Sequence, residues 1–183
     1  LFWHQDLIER LTAVLQQQEI SPREESDDQI NAKVFEEQRL RPWSVLHAEY
    51  EQAHTRLIKL AEQLSEEDMT DSSRFAAVTE GNPLFTAFIG GCYEHDQEHL
   101  AQYYLDHHNL PWAIEVREKC ASRVVQADVP GWVKGWFLYN LAGFYAEQKL
   151  PEKAAARLQE ALIQSPSLKE NAESNPDLSA LLA

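Results

Sequence analysis

Apolar residues recur at steps of four and three along residues 46–64, and this spacing constrains the fold more than any other feature of the chain. The positions are Leu46, Tyr50, Ala53, Leu57, Leu60 and Leu64. On an α-helix they form one stripe, as in the seam between packed helices of a bundle. Other segments also show helical periods, none shows the strict alternation of a half-buried strand, and the chain has only six glycines. The sequence therefore predicts an all-α protein.

Proline, asparagine and polar runs divide the helical patterns into three parts. We predict a helical bundle over residues 1–108, a linking helix over 109–130, and a helix pair with a C-terminal cap over 131–183. Within the bundle, helices are expected over 1–18, 28–38, 42–64 and 83–107. A polar loop is expected over 20–28 and an irregular connection over 70–82. The helical pattern begins at once at Leu1, so we expect the sequence to start inside a helix.

The helix pair fits the eight consensus positions of a tetratricopeptide repeat, with leucine in place of the usual tryptophan and phenylalanine. The matching residues are Leu138, Leu141, Ala142, Tyr145, Ala154, Leu158, Ala161 and Pro166. The alanines let two antiparallel helices approach closely. A single repeat exposes two apolar faces, so it must pack on the linking helix, on the bundle or on a partner protein. We favour packing within the chain.

Composition argues against several classes of function. The chain has 183 residues, 44% of them hydrophobic, and a net charge of −14, which disfavours nucleic acid and anionic membranes as partners. There is no apolar run of about 18 residues, as a membrane span needs, and no secretory leader pattern. Cys92 and Cys120 show neither disulfide-framework nor zinc-knuckle spacing. We therefore expect a cytoplasmic protein.

His95 and His99 are the main candidate site residues. They lie four apart on a predicted helix, so both imidazoles project from one face. The stripe continues Phe85, Phe88 and Cys92, so we expect both rings to point inward. Imidazole is the commonest metal ligand, and a third ligand from a facing helix would complete a site, although no third ligand is evident. The alternative is a hydrogen-bonded histidine pair at the edge of the core.

The remaining histidines are weaker candidates. We expect His4 to be exposed at the terminus, and His47 and His54 to flank the seam stripe. The pair His107 and His108 ends the histidine helix, where an imidazole interacts favourably with the helix dipole.

Carboxylates and nucleophiles near the histidine pair offer little further chemistry. Glu94 and Glu98 flank the histidines and could accept hydrogen bonds from them or act as a general base, but adjacent helix positions diverge by about 100°, so a solvated face is favoured for both. Cys92 is interpreted as a small core residue rather than a soft ligand. No Ser/His/Asp set, phosphate-binding glycine loop or nucleotide fingerprint can be assembled. Serine hydrolysis and nucleotide chemistry are therefore not indicated.

Four stretches carry a family resemblance that covers residues 1 to about 105. They are Trp3-His4 with its amphipathic helix, DQINAKVFEEQR at 28–39, residues 43–68, and residues 82–99 with a Tyr-x-His-x-x-x-His signature. Together they resemble the DinB-like four-helix-bundle superfamily, and within it the branch that includes the ClbS and DfsB proteins. The chain departs from this pattern because the family's first helix is missing. We expect the sequence to be a fragment of a longer protein.

The resemblance implies a divalent metal, zinc or nickel, with His95 and His99 as two of its ligands. In the family the third ligand comes from the second helix, at a position that falls upstream of Leu1 here. The implied function is handling or detoxification of a small reactive molecule, by a metal-assisted thiol transferase or hydrolase with a small-molecule or thiol substrate. Bundles of this family often pair, which implies a homodimer. The alternative is a non-catalytic interaction module whose tetratricopeptide-like unit docks a partner protein.

Overall fold

The computed structural model describes residues Leu1–Leu182, and this range is helical without any strand, which confirms the all-α prediction. Residue 183, the last of the predicted 131–183 segment, lies outside the described residues. None of the helices in this range combines the length and apolar character that crossing a membrane requires. The chain divides into two compact units, Leu1–Tyr93 and Glu94–Ala183, whereas the predicted bundle ended at residue 108.

The first unit is built from five α-helices and most of a π-helix. They are α1 (Phe2–Leu15), α2 (Asp27–Gln38), α3 (Trp43–Ala61), α4 (Glu66–Thr70), α5 (Ala76–Thr79) and the π-helix (Ala87–Glu94). Capping boxes begin α2 at Ser26 and α4 at Ser65. In each box the serine hydroxyl accepts a hydrogen bond from the backbone N–H three residues on, and the side chain of that residue accepts one from the serine backbone N–H. The predicted irregular connection over 70–82 contains the short helix α5.

The core of the first unit lies between α1 and α3. Ile8 packs with Ala53 and Leu57, the two fully buried residues of the predicted seam. A second cluster joins Leu11 to Phe75 and Leu84, each 0% exposed. The stripe from Ala53 to Leu64 therefore faces this core as predicted.

The second unit contains six α-helices and a terminal turn. They are α6 (His95–Asp106), α7 (Leu110–Gln126), α8 (Gly131–Glu147), α9 (Pro151–Gln164), α10 (Leu168–Ser174), α11 (Pro176–Ser179) and a 3-10 turn (Ala180–Leu182). Asn109 caps α7, because its side-chain oxygen accepts from the Trp112 amide, and proline follows in the first turn. Helix α7 lies within the predicted linking segment over 109–130.

Helices α8 and α9 form a closely packed hairpin. Gly135 makes the approach possible, since a Cβ there would lie 2.7 Å from Ser165 Cβ and 3.1 Å from the Ala161 carbonyl oxygen. Ala142 and Leu158 are buried in the cluster that joins the hairpin to α10 and α11. Small residues thus occupy the helix contact as the sequence predicts, while assignment of the pair to the tetratricopeptide class stays a prediction.

Candidate functional site

The two predicted metal ligands lie side by side at the start of α6. The Nε2 atoms of His95 and His99 are 2.9 Å apart, and the ring centroids are separated by 4.3 Å. The prediction that both rings project from one helical face is confirmed by this contact. The prediction that they point inward is wrong, because both histidines are exposed, with 49% of the His95 side chain accessible to solvent.

The π-helix before α6 explains why the inward prediction fails. The expected stripe assumed α-helical rotation throughout residues 85–99. In a π-helix the hydrogen bond spans five residues rather than four, so each residue turns the chain by less than it does in an α-helix. Phe88 and Cys92 pack against the core cluster of the first unit. Because the rotation per residue changes within the π-helix, His95 and His99 do not lie on the same face as Phe88 and Cys92.

The donor set fits a divalent metal through two nitrogens. Neutral imidazole is a good ligand for zinc and nickel, and the two Nε2 atoms lie 2.9 Å apart. No cluster of three or more His, Cys, Asp or Glu side chains suited to a metal occurs in residues 1–182. The nearby Glu98 carboxylate lies 3.9 Å from Nδ1 of His95, the ring nitrogen that is not shared with His99. At this distance there is no direct hydrogen bond, so Glu98 contributes a nearby negative charge.

His4 does not lie at an exposed position as the sequence predicts. It was expected to be exposed, but it is 3% exposed because it shares the inward stripe of α1 with Ile8 and Leu11. Its ring lies 5.3 Å from that of Tyr50 and 6.4 Å from that of His54, measured between centroids.

The other histidines lie close to their expected positions. His47 and His54 are exposed on α3, and Nδ1 of His47 lies 3.7 Å from a Glu51 carboxylate oxygen. His107 follows the last residue of α6, where its Nδ1 lies 2.7 Å from the Tyr103 carbonyl oxygen. The expectation that this imidazole interacts with the end of the helix is confirmed.

A buried polar cluster next to the histidine pair was not predicted. Asn140 Nδ2 donates to Glu94 Oε1 over 2.9 Å. Arg117 lies between two carboxylates, with Nη2 3.9 Å from Glu94 Oε1 and Nη1 3.0 Å from Glu98 Oε1. Glu94 is only 5% exposed and Arg117 6%, so the expectation of a solvated face is wrong for Glu94. Burial raises the pKa of Glu94, although the Asn140 hydrogen bond and the Arg117 charge act in the opposite direction.

Arg117 is the residue that the sequence could have revealed. It lies on the buried stripe of α7, whose other members are Ala113, Cys120, Ala121 and Val124. A charged side chain within an apolar stripe indicates a buried partner, because an unpaired buried charge is strongly unfavourable. The identity of that partner depends on which helices pack together, and sequence spacing does not give this.

The polar cluster borders a cavity of about 380 Å³ within the second unit. Its walls include Glu98 from α6, Arg117 from α7, and Asn140, Gly143, Phe144 and Glu147 from α8. Helix α6 therefore carries an exposed histidine pair and also contributes Glu98 to a cavity that has both charged and aromatic walls.

No family model matches the chain, and searches of curated proteins and of solved structures find no match.

Proposed function

We propose that this protein is a cytoplasmic member of the DinB-like superfamily, of the ClbS/DfsB-like branch, that handles or detoxifies a small reactive molecule. In this proposal His95 and His99 hold a divalent metal, zinc or nickel. The observation that carries the proposal is the 2.9 Å separation of their Nε2 atoms on an exposed helical face. Because zinc–imidazole bonds are about 2.0–2.1 Å long, one ion can reach both nitrogens.

The roles of the individual residues follow from their positions. His95 and His99 would bind the ion as neutral imidazoles, and the Glu98 carboxylate, 3.9 Å from the second nitrogen of His95, would place a negative charge beside them. A metal bound there would supply a Lewis acid that lowers the pKa of a bound thiol or water. With two protein donors, coordination positions stay open to a substrate, and the proposed homodimer offers a source of a further ligand.

Metal content per chain tests the proposal. Protein purified without an affinity tag is analysed for bound zinc and nickel, then titrated with each metal after chelation. We expect about one ion per chain, bound with a rise in melting temperature, because a ligand that binds only the folded state stabilises it. His95→Ala and His99→Ala should each lose the ion. His47→Ala, which removes an exposed histidine from α3, should keep it. Absence of binding in the unaltered protein would overturn the metal proposal.

A second candidate function is a non-catalytic interaction module that docks a partner protein through the α8–α9 hairpin. The supporting observation is that Trp132 and Trp136, one turn apart on α8, are 47% and 42% exposed. Tryptophan is enriched among residues that dominate binding energy at protein interfaces. For such a module, His95→Ala should leave both stability and partner binding unchanged, whereas Trp136→Ala should weaken partner binding without loss of folding.

A further inference from the structure

A cavity of about 420 Å³ lies within the first unit, where α1, α2 and α3 meet. Phe2 forms part of its wall on α1, Val34 on α2, and Trp43, Leu46 and Tyr50 on α3. Ligand-binding cavities in proteins have volumes of about 300–1,000 Å³ and are lined mostly by apolar and aromatic side chains. This cavity therefore has the size and the lining of a binding site for a small organic molecule.

Polar contacts anchor α2 on either side of the cavity. In the first half of α2, Asn31 Oδ1 accepts a hydrogen bond from Trp3 Nε1 on α1 over 2.9 Å. At the end of α2, Gln38 accepts from Arg41, which also hydrogen-bonds to Glu49 on α3. The apolar wall that α2 contributes lies between these two points, and it borders the cavity instead of packing tightly on α3. The space is thus part of how these three helices are joined.

Trp43 gives the first indication of what the cavity binds. Its side chain lines the cavity and is nevertheless 75% exposed. The His47 ring lies beside it on the next turn of α3, with the ring centroids 5.6 Å apart, and Phe2 and Tyr50 add two further rings to the lining. Aromatic rings pair favourably with one another in stacked or edge-to-face arrangements. A lining of this kind favours a ligand that is itself aromatic and planar.

The charge of the lining gives the second indication. The Arg41 guanidinium is already hydrogen-bonded to the Glu49 carboxylate and, over 2.6 Å, to Gln38 Oε1. A charged ligand would therefore enter an apolar space without a free counter-ion, which is unfavourable. Gln5 and Gln38 contribute side-chain amides that suit one neutral polar group of a ligand. The lining consequently favours an uncharged molecule.

We propose that this cavity binds a small, uncharged, planar aromatic molecule. The molecule stacks on the indole ring of Trp43, while Phe2 and Val34 contact its edges. A hydroxyl or another neutral polar group of the ligand bonds to Gln5 or Gln38. This binding does not depend on a metal at His95 and His99.

Calorimetric titration of the full chain in the presence of a chelator tests the proposal with four naphthalene derivatives. At neutral pH 2-naphthol is planar and uncharged, 2-naphthoate carries a negative charge, and 2-(aminomethyl)naphthalene carries a positive charge. Decahydro-2-naphthol keeps the hydroxyl but is not aromatic. We expect 2-naphthol to bind saturably and each charged probe to bind at least about tenfold more weakly, because its charge must be desolvated.

The saturated alcohol should bind about two- to tenfold more weakly than 2-naphthol, since it cannot pair with the rings of the lining. Three outcomes would overturn the proposal. They are the lack of saturable 2-naphthol binding, equal binding of either charged probe, and equal binding of the saturated alcohol.

Variants then locate the binding to the cavity. Trp43→Ala should weaken 2-naphthol binding at least about tenfold and should fold normally, because this side chain is largely exposed. Trp112→Ala is the matched control, since Trp112 is a 54% exposed tryptophan on α7. Val34→Trp, which places a large side chain in the cavity, should also weaken binding, whereas Phe35→Ala, at the next and 64% exposed position, should not. Unchanged affinity in Trp43→Ala, or an equal loss in Trp112→Ala, would contradict the assignment.

Discussion

Asn140 on α8 donates a hydrogen bond from Nδ2 to Oε1 of Glu94, the residue immediately before α6, over 2.9 Å. The two residues are 46 positions apart in the chain, and Glu94 is 5% exposed. Because water has little access to this carboxyl group, the Asn140 amide supplies the hydrogen bond that water would donate at an exposed position. The bond thereby fixes the start of α6 against the middle of α8.

Removal of the Asn140 amide should destabilise the second unit. We expect Asn140→Ala to lower the free energy of unfolding by about 1–3 kcal/mol, since a buried acceptor loses its donor. Urea denaturation followed by circular dichroism measures the change. Asn171→Ala, at an exposed position on α10, should shift the free energy by less than about 0.5 kcal/mol. Equal effects of the two substitutions would show that the Glu94 contact contributes little.

Two glycines of α8 should respond in opposite directions to alanine. Gly143→Ala should raise the free energy of unfolding by about 0.5–1 kcal/mol, because it improves helix propensity and the new methyl meets open space. Gly135→Ala should lower it, since its Cβ would come within 2.7 Å of Ser165 Cβ. The two melting temperatures, measured side by side, check both signs. A stabilised Gly135→Ala would contradict the close approach of α8 and α9.

The Tyr145–Glu118 hydrogen bond should make stability depend on pH in the acid range. Burial acts to raise the pKa of Glu118, but hydrogen bonds from Tyr145 and Lys153 outweigh it and hold the pKa below its ordinary value of 4.5. The folded state therefore binds the Glu118 carboxyl proton less tightly than the unfolded state does. The contribution of ionised Glu118 to stability is present above pH 4.5 and is lost as the pH falls through the lowered pKa.

Tyr145→Phe tests this linkage. At pH 7 we expect a loss of about 0.5–1.5 kcal/mol in the free energy of unfolding, which should shrink as the medium becomes acidic. The Glu118 side chain is 45% exposed, so the lower end of that range is expected. Tyr139→Phe is the matched control, because the Tyr139 hydroxyl donates to the Asn171 carbonyl oxygen rather than to a carboxylate. If the free energies of unfolding of the wild type and Tyr145→Phe differed by the same amount at every pH, the hydrogen bond to Glu118 could not be the cause of the pH dependence.

Two aliphatic positions on α9 should differ sharply in their effect on stability. Leu158 is 2% exposed and packs in the hairpin core, whereas Ile163 on the same helix is 71% exposed. Leu158→Ala should lower the free energy of unfolding by about 2–5 kcal/mol through lost burial and a residual cavity. Ile163→Ala should change it by less than about 0.5 kcal/mol. Thermal unfolding of the two variants provides the comparison.

The presence of most helices could be predicted because local sequence patterns, such as apolar stripes and proline-containing starts, agree with the observed packing. The predicted stripe lies on α3 from Leu46 to Leu60, while Leu64 follows the end of this helix. The asparagine–leucine–proline run at 109–111 starts α7 where the sequence indicates. The π-helix was not predictable, since periodicity analysis assumes a single rotation per residue. The exposed positions of His95 and His99 were missed for the same reason.

The site was predictable only in the parts that depend on local spacing. The four-residue interval places His95 beside His99, and an α-helix suffices for that inference. The burial of His4 and the Asn140–Glu94 contact instead depend on which surfaces pack together. Arg117 gave a partial signal as a charge on an apolar stripe, but its neighbours come from other helices and from residues distant in sequence.

The short distance between His95 and His99 also makes the two imidazoles chemically unlike. A hydrogen bond between two Nε2 atoms 2.9 Å apart requires a proton on one of them and a lone pair on the other. When both rings are neutral, one histidine is therefore the Nδ1–H tautomer and the other the Nε2–H tautomer, an asymmetry that ¹⁵N chemical shifts would distinguish.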